Sequence, residues 1–86
     1  EPGVYLEGEY GIRLENEILC IESPGGKLGF EPITWCPFER EAILTDMLTE
    51  EERQWINNYH QDVYEKISPL VDAEIADWLA EATKEI

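Results

Sequence analysis

The hydrophobic pattern of this sequence changes its period along the chain, and that change most constrains the fold. From residue 4 to about residue 36, apolar and polar residues alternate or form short apolar runs punctuated by Gly and Pro, as in β-strands. From residue 49 to residue 86, apolar residues recur three and four positions apart, as on amphipathic helices. The sequence therefore predicts an α+β fold in which antiparallel strands are followed by a helical hairpin.

The first half is expected to contain short strands joined by glycine turns. Val4–Leu6 and the alternating segment Glu9–Glu15 flank Gly8, which can supply the positive φ of a tight hairpin turn. Ile18–Ile21 is apolar on both faces, which is typical of a strand beneath a covering layer. The turn residues Ser23–Gly26 then predict a further strand at about residues 27–30. The apolar piece at 33–36 lies between two prolines, so it should sit at a sheet edge or leave the sheet.

The second half carries start and stop signals for two helices. Thr49 and Glu52 have the spacing of a capping box, and the first helix should end before Pro69. Asp72 is a suitable cap for the second helix. The expected buried faces consist of Trp55, Ile56, Tyr59, Val63 and Ile67 on the first helix, and Ile75, Trp78, Leu79, Ala82 and Ile86 on the second.

Composition excludes several classes of function. The chain has six Lys and Arg against twenty Asp and Glu, which gives a net charge of −14. The clustered basic residues that bind nucleic acid are therefore missing. No run of 18 apolar residues predicts a membrane span. Cys20 and Cys36 are too few for a disulfide framework and lack metal-ligand spacing, which favours two buried thiols in a reducing compartment. His60 is interpreted as a surface or half-buried helix histidine and not as a metal ligand.

Arg13 and Glu15 leave the same face of one predicted strand, because they are two residues apart. On a solvated face they form an ordinary ion pair worth at most about 1 kcal/mol. In a cavity, the carboxylate becomes a ligand that the guanidinium orients. Composition alone favours the solvated pair.

Two motifs resemble the pita-bread metallopeptidases, specifically the Xaa-Pro aminopeptidases. They are E-P-G-V-Y at Glu1–Tyr5 and G-I-R-L-E-N at Gly11–Asn16, and their glutamates are 14 residues apart, which is similar to the family's spacing. The similarity continues through nearly the whole chain and resembles the C-terminal extension of the aminopeptidase P branch in Leu28–Thr34, Cys36–Pro37, Leu48–Glu52, Trp55–His60 and Trp78–Thr83.

The resemblance implies roles for four residues. Glu1 and Glu15 match two of the five ligands of a dinuclear metal centre, with Glu15 bridging the ions. Tyr5 and Arg13 match positions that hydrogen-bond an Asp ligand from elsewhere in the chain. Manganese is the favoured metal, with zinc or cobalt as alternatives.

The resemblance also implies that the chain is incomplete as an enzyme. The family's two Asp ligands, its His ligand and its substrate-binding His residues all precede the position of Glu1. We therefore expect residues 1–36 to be the last strands of a catalytic domain and residues 37–86 to be a helical extension, inactive and metal-free when alone. The parent would be a cytoplasmic aminopeptidase acting on Xaa-Pro peptides, and a homodimer is left open. An Xaa-Pro dipeptidase and a free-standing acidic protein-interaction module are the alternatives.

Overall fold

The computed structural model describes all 86 residues and divides them into two compact units. The hairpin unit is Glu1–Thr34 and the helical unit is Trp35–Ile86. The sequence predicts a boundary after residue 36, and the division in the structure falls two residues earlier. Strands occupy the first unit and helices the second, so the predicted α+β class is confirmed.

The hairpin unit contains four strands in two antiparallel pairs. β1 (Gly3–Leu6) pairs with β2 (Tyr10–Arg13), and β3 (Ile18–Ser23) pairs with β4 (Lys27–Pro32). Each pair is closed by a short turn whose glycines have positive φ, as the sequence predicts. These turns depend on Gly8 (73°) in the first hairpin and on Gly25 (85°) and Gly26 (75°) in the second.

The strands are far more exposed than their pattern predicts. Ile18 is 54% exposed and Leu19 52% exposed, although burial on both faces was expected for this strand. That expectation is wrong for this chain because each sheet has only two strands and no further layer of the hairpin unit covers them. Cys20, on the same strand, is exposed for the same reason, which corrects the prediction of a buried thiol.

The helical unit contains the two helices that the sequence predicts. α1 spans Glu50–Ile67 and α2 spans Ala73–Ala82. The capping box is present: Thr49 N–H donates to Glu52 Oε2 at 2.8 Å, and Glu52 N–H donates to Thr49 Oγ1 at 3.2 Å. Asp72 Oδ1 accepts from Ile75 N–H at 3.0 Å and caps α2. No helix has the length and apolarity needed to cross a bilayer.

The core of the helical unit is small. Tyr59, Val63 and Leu79 are buried, and partly buried side chains of Trp35, Phe38 and Ile67 pack against them. The remaining expected core positions are more open: Trp55 is 49% exposed, Ile75 47% and Trp78 62%. The predicted faces are too wide because α2 packs against little besides α1 and the turn between them.

Two α1 side chains form hydrogen bonds with the backbone of the segment at residues 36–38, which precedes the helices. Tyr59 Oη donates to the Cys36 carbonyl at 2.7 Å and accepts from Cys36 N–H at 3.3 Å. His60 Nε2 accepts from Phe38 N–H at 3.0 Å. His60 is fully buried, so the expectation of a surface or half-buried histidine is wrong. Cys36 is exposed, so its thiol is not buried either.

Candidate metal-binding face of the first hairpin

The register of β1 and β2 decides which side chains share a face. Gly3 pairs with Arg13, and Tyr5 pairs with Gly11. Alternate residues of a strand project from the same side, and cross-strand partners project together. These four positions therefore form one face of the hairpin, which we call the Tyr5 face.

The register continues beyond the ends of both strands. Leu14 N–H donates to the Pro2 carbonyl at 3.2 Å. The same pairing, continued by one more residue, would place Glu1 opposite Glu15 on the side of Tyr5. Directly opposed residues have Cβ atoms about 4.5–5.5 Å apart, a separation at which two carboxylates can reach common ligands.

Three of the four predicted site residues are in contact on this face. Arg13 Nε donates to Tyr5 Oη at 2.7 Å, and the guanidinium carbon lies 5.7 Å from the centroid of the Tyr5 ring. Arg13 Nε also lies 3.9 Å from Glu15 Oε2. The ion pair is exposed, so it contributes at most about 1 kcal/mol to stability. The ion pair places the guanidinium of Arg13 beside the Glu15 carboxylate.

Glu1 differs from the other three. Its side chain forms no hydrogen bond or ion pair with Tyr5, Arg13 or Glu15, or with any other residue. The structure therefore brings Tyr5, Arg13 and Glu15 together, and Glu1 lies before the paired residues of β1 without a contact to them.

Asn16 fixes the chain immediately after Glu15. Its Oδ1 accepts from Thr34 N–H and its Nδ2 donates to the Thr34 carbonyl, both at 3.3 Å. Ile33 N–H donates to the Glu17 carbonyl at 3.0 Å and extends this pairing toward β3. This role of Asn16 is not among those expected from the sequence. Asn is common in the turns between elements because its side-chain amide can form hydrogen bonds in place of a backbone group. This preference is the signal in the sequence that points to such a role.

The carboxylates of Glu1 and Glu15, which adjoin the Tyr5 face in sequence, fit part of a divalent-metal site. Carboxylate oxygens suit Mg²⁺ and Mn²⁺ and tolerate softer ions. The chain has no group of three or more His, Cys, Asp and Glu side chains that could hold an ion. Glu1 and Glu15 can thus supply two carboxylates, and a closed site needs further ligands.

The other candidate groups lie apart from this face. His60 is enclosed in the core of the helical unit and already accepts a backbone hydrogen bond through Nε2. Trp35, in the proline-flanked segment 33–36, packs on the core and stacks on Tyr59, and its ring centroid lies 4.7 Å from Lys66 Nζ. None of these groups is arranged for metal binding.

Comparison with known proteins gives a consistent result. A family described as the C-terminal region of peptidase M24 matches residues 26–86. A probable Xaa-Pro aminopeptidase P of Coprinopsis cinerea is 42% identical over 100% of this chain and 15% of its own length. Another, from Talaromyces marneffei, is 46% identical over 98% of this chain and 14% of its own length.

A solved structure agrees with the sequence relatives. The X-prolyl aminopeptidase of Caenorhabditis elegans, described as a cytosolic enzyme with a di-nuclear active site, is 32% identical with a TM-score of 0.83. The match covers 99% of this chain and 15% of that protein. The chain thus spans about one seventh of the length of the proteins it resembles. On these findings it belongs to the family of M24 peptidase C-terminal regions.

Proposed function

We propose that this chain is the C-terminal part of a metal-dependent aminopeptidase that removes the residue preceding proline from the N-terminus of a peptide. Glu1 and Glu15 are two of its metal ligands, with Glu15 bridging. The observation that supports the proposal is the cluster on the first hairpin in which Arg13 contacts both Tyr5 and Glu15. The names of the relatives supply the reaction.

The residues of the Tyr5 face have distinct tasks in this proposal. A pair of divalent ions, when bound, supplies an activated water and stabilises the negative charge that develops on the scissile carbonyl oxygen. Arg13 orients the Glu15 carboxylate and offsets part of its charge. Tyr5 Oη accepts from Arg13 Nε, so the Tyr5 O–H can donate to a carboxylate ligand from elsewhere in the polypeptide.

The remaining ligands must come from the part of the enzyme that this chain does not contain. Two carboxylates leave most coordination positions of two ions to water, so the 86 residues alone should be inactive and free of tightly bound metal. We propose manganese as the metal, with zinc or cobalt as alternatives, and Xaa-Pro peptides as substrates in the cytoplasm. A homodimer of the complete enzyme is compatible with this proposal.

The test replaces Glu15 by Gln in a complete polypeptide that carries the upstream ligands. Glu15→Gln keeps the side-chain shape and removes the charge, so bound Mn²⁺ should decrease and kcat/KM on an Xaa-Pro peptide should fall more than about 100-fold. The control is Glu7→Gln, because Glu7 is an exposed acid in the turn of the same hairpin. Glu7→Gln should stay within about twofold of wild type. Full metal content and activity in Glu15→Gln would show that Glu15 is not a ligand.

The same assay separates the alternative functions. An aminopeptidase cleaves Xaa-Pro tripeptides and longer peptides, whereas a dipeptidase cleaves only the Xaa-Pro dipeptide. A complete polypeptide that binds no metal and cleaves neither substrate would favour the acidic interaction module.

A further inference from the structure

Gly11 lies beneath the ring of Tyr5. The two residues are cross-strand partners, and a Cβ added to Gly11 would be 2.7 Å from Tyr5 Cδ1 and 3.2 Å from Tyr5 Cε1. Carbon atoms in good contact are about 3.5–4.0 Å apart. Any side chain at position 11 would therefore move the ring by roughly 1 Å.

Gly3 leaves the space at the other end of the ring. A Cβ at Gly3 would be 3.0 Å from Tyr5 Oη, 3.0 Å from Arg13 Cγ and 2.9 Å from the Ile12 carbonyl oxygen. The Tyr5 ring thus crosses the hairpin diagonally over two positions that lack side chains. Its hydroxyl lies at the end of this path, 2.7 Å from Arg13 Nε.

The backbone gives no other reason for glycine at position 11. Gly11 is in the middle of β2, and its φ is not positive. Glycine inside a strand lowers stability and often marks a close approach of another group. The group that approaches here is the Tyr5 ring.

We propose that Gly11 is a positioning residue of the Tyr5 face. Its missing side chain lets the Tyr5 ring lie across β2, so that Tyr5 Oη fixes Arg13 and Arg13 in turn directs Glu15. This inference rests on the proposed function, because it assigns Gly11 a task in holding a metal ligand.

The test is a double-mutant cycle in a complete polypeptide that carries the upstream ligands. Gly11→Ala, Tyr5→Ala and the double variant are stripped of metal and titrated with Mn²⁺ by calorimetry, and kcat and KM are measured after reloading. Each single variant should weaken Mn²⁺ binding about tenfold. Each should also lower kcat by a larger factor than the factor by which KM changes. The double variant should be within about twofold of Tyr5→Ala, because Gly11 acts through the ring.

The matched control is Gly29→Ala. Gly29 is also a strand glycine, in β4, but its added Cβ would meet only Ser23 Oγ, which can rotate away. Gly29→Ala should leave Mn²⁺ affinity and kcat within about twofold of wild type. An equal effect of Gly29→Ala would show that any strand glycine matters and would overturn the assignment.

The remaining outcomes also decide the question. Equal losses from Gly11→Ala with and without the Tyr5 ring, or no loss at all, contradict positioning through Tyr5. Should Gly11→Ala fail to fold, a folded Gly11→Ala/Tyr5→Ala variant supports the proposal, and an unfolded one opposes it. A wild type that binds Mn²⁺ but does not cleave Xaa-Pro peptides refutes the proposed reaction, while the binding cycle still reports on Gly11.

Discussion

His60 is the most constrained polar side chain of the helical unit. It is fully buried, with ring centroids 6.2 Å from Phe38 and 5.9 Å from Tyr59. Because Nε2 accepts from Phe38 N–H, the neutral ring carries its proton on Nδ1, which has no partner with hydrogen-bond geometry. Protonation of Nε2 would break the contact that holds the preceding segment against α1.

The environment of His60 predicts a loss of stability in mild acid. Burial lowers the pKa of His60, and the Arg40 charge lowers it further. The interaction of His60 with the Lys84 backbone raises the pKa and offsets part of this decrease. The folded pKa is thus below the unfolded value near 6.5. The stabilisation by neutral His60 is complete above the unfolded pKa and declines as pH falls from there through the folded pKa.

Urea unfolding followed by tryptophan fluorescence at pH 7.5 and pH 5.5 should show this decline for the 86-residue chain. His60 is the only histidine, so the matched variant His60→Gln should be less stable at pH 7.5 and lose most of the difference between the two pH values. An unchanged pH dependence in that variant would assign the effect to carboxylates instead.

At the scale of elements, the start of α1 depends on Thr49. Its side chain and that of Glu52 satisfy one another's backbone N–H groups, and three acids occupy the first turn. Thr49→Ala should lower the free energy of unfolding by about 1 kcal/mol, because one orphan N–H loses its acceptor. The control Thr45→Ala removes a hydroxyl for which the structure shows no hydrogen bond and should change it by less than about 0.5 kcal/mol. Equal effects, measured by urea unfolding of the 86-residue chain, would show that capping contributes nothing here.

The starts of the helices could be predicted from the sequence better than the burial of their side chains, for a physical reason. The starts of α1 and α2 follow from the N-caps Thr49 and Asp72, which act within one turn of the chain. Burial depends on what covers an element, so the exposure of Trp78 could not be read from its helical spacing. The contact of Arg13 with Glu15 follows from period-two geometry, whereas the space that Gly11 leaves for Tyr5 requires the register of two strands.

At the scale of the whole molecule, the two units differ in how they are held together. The helical unit has a buried cluster around Tyr59, Val63 and Leu79. The hairpin unit has no fully buried residue, and its sheets have two strands each. Apolar side chains on its strands face water, Val4 at 63% and Phe30 at 69% exposure among them. Isolated two-stranded hairpins are marginally stable in water, so its backbone hydrogen bonds should open far more often than those of α1.

Amide hydrogen exchange of the 86-residue chain measures this difference directly. Amides of α1 from Tyr59 to Val63 should exchange at least about 100-fold more slowly, relative to unstructured rates, than amides of β1 and β2. Their positions in the buried cluster and in the exposed sheet give the reason. In a complete polypeptide, where upstream strands can cover the Val4 side, the same β1 and β2 amides should become protected. Equal protection of β2 and α1 in the 86-residue chain would mean that the hairpin is stable without a covering layer.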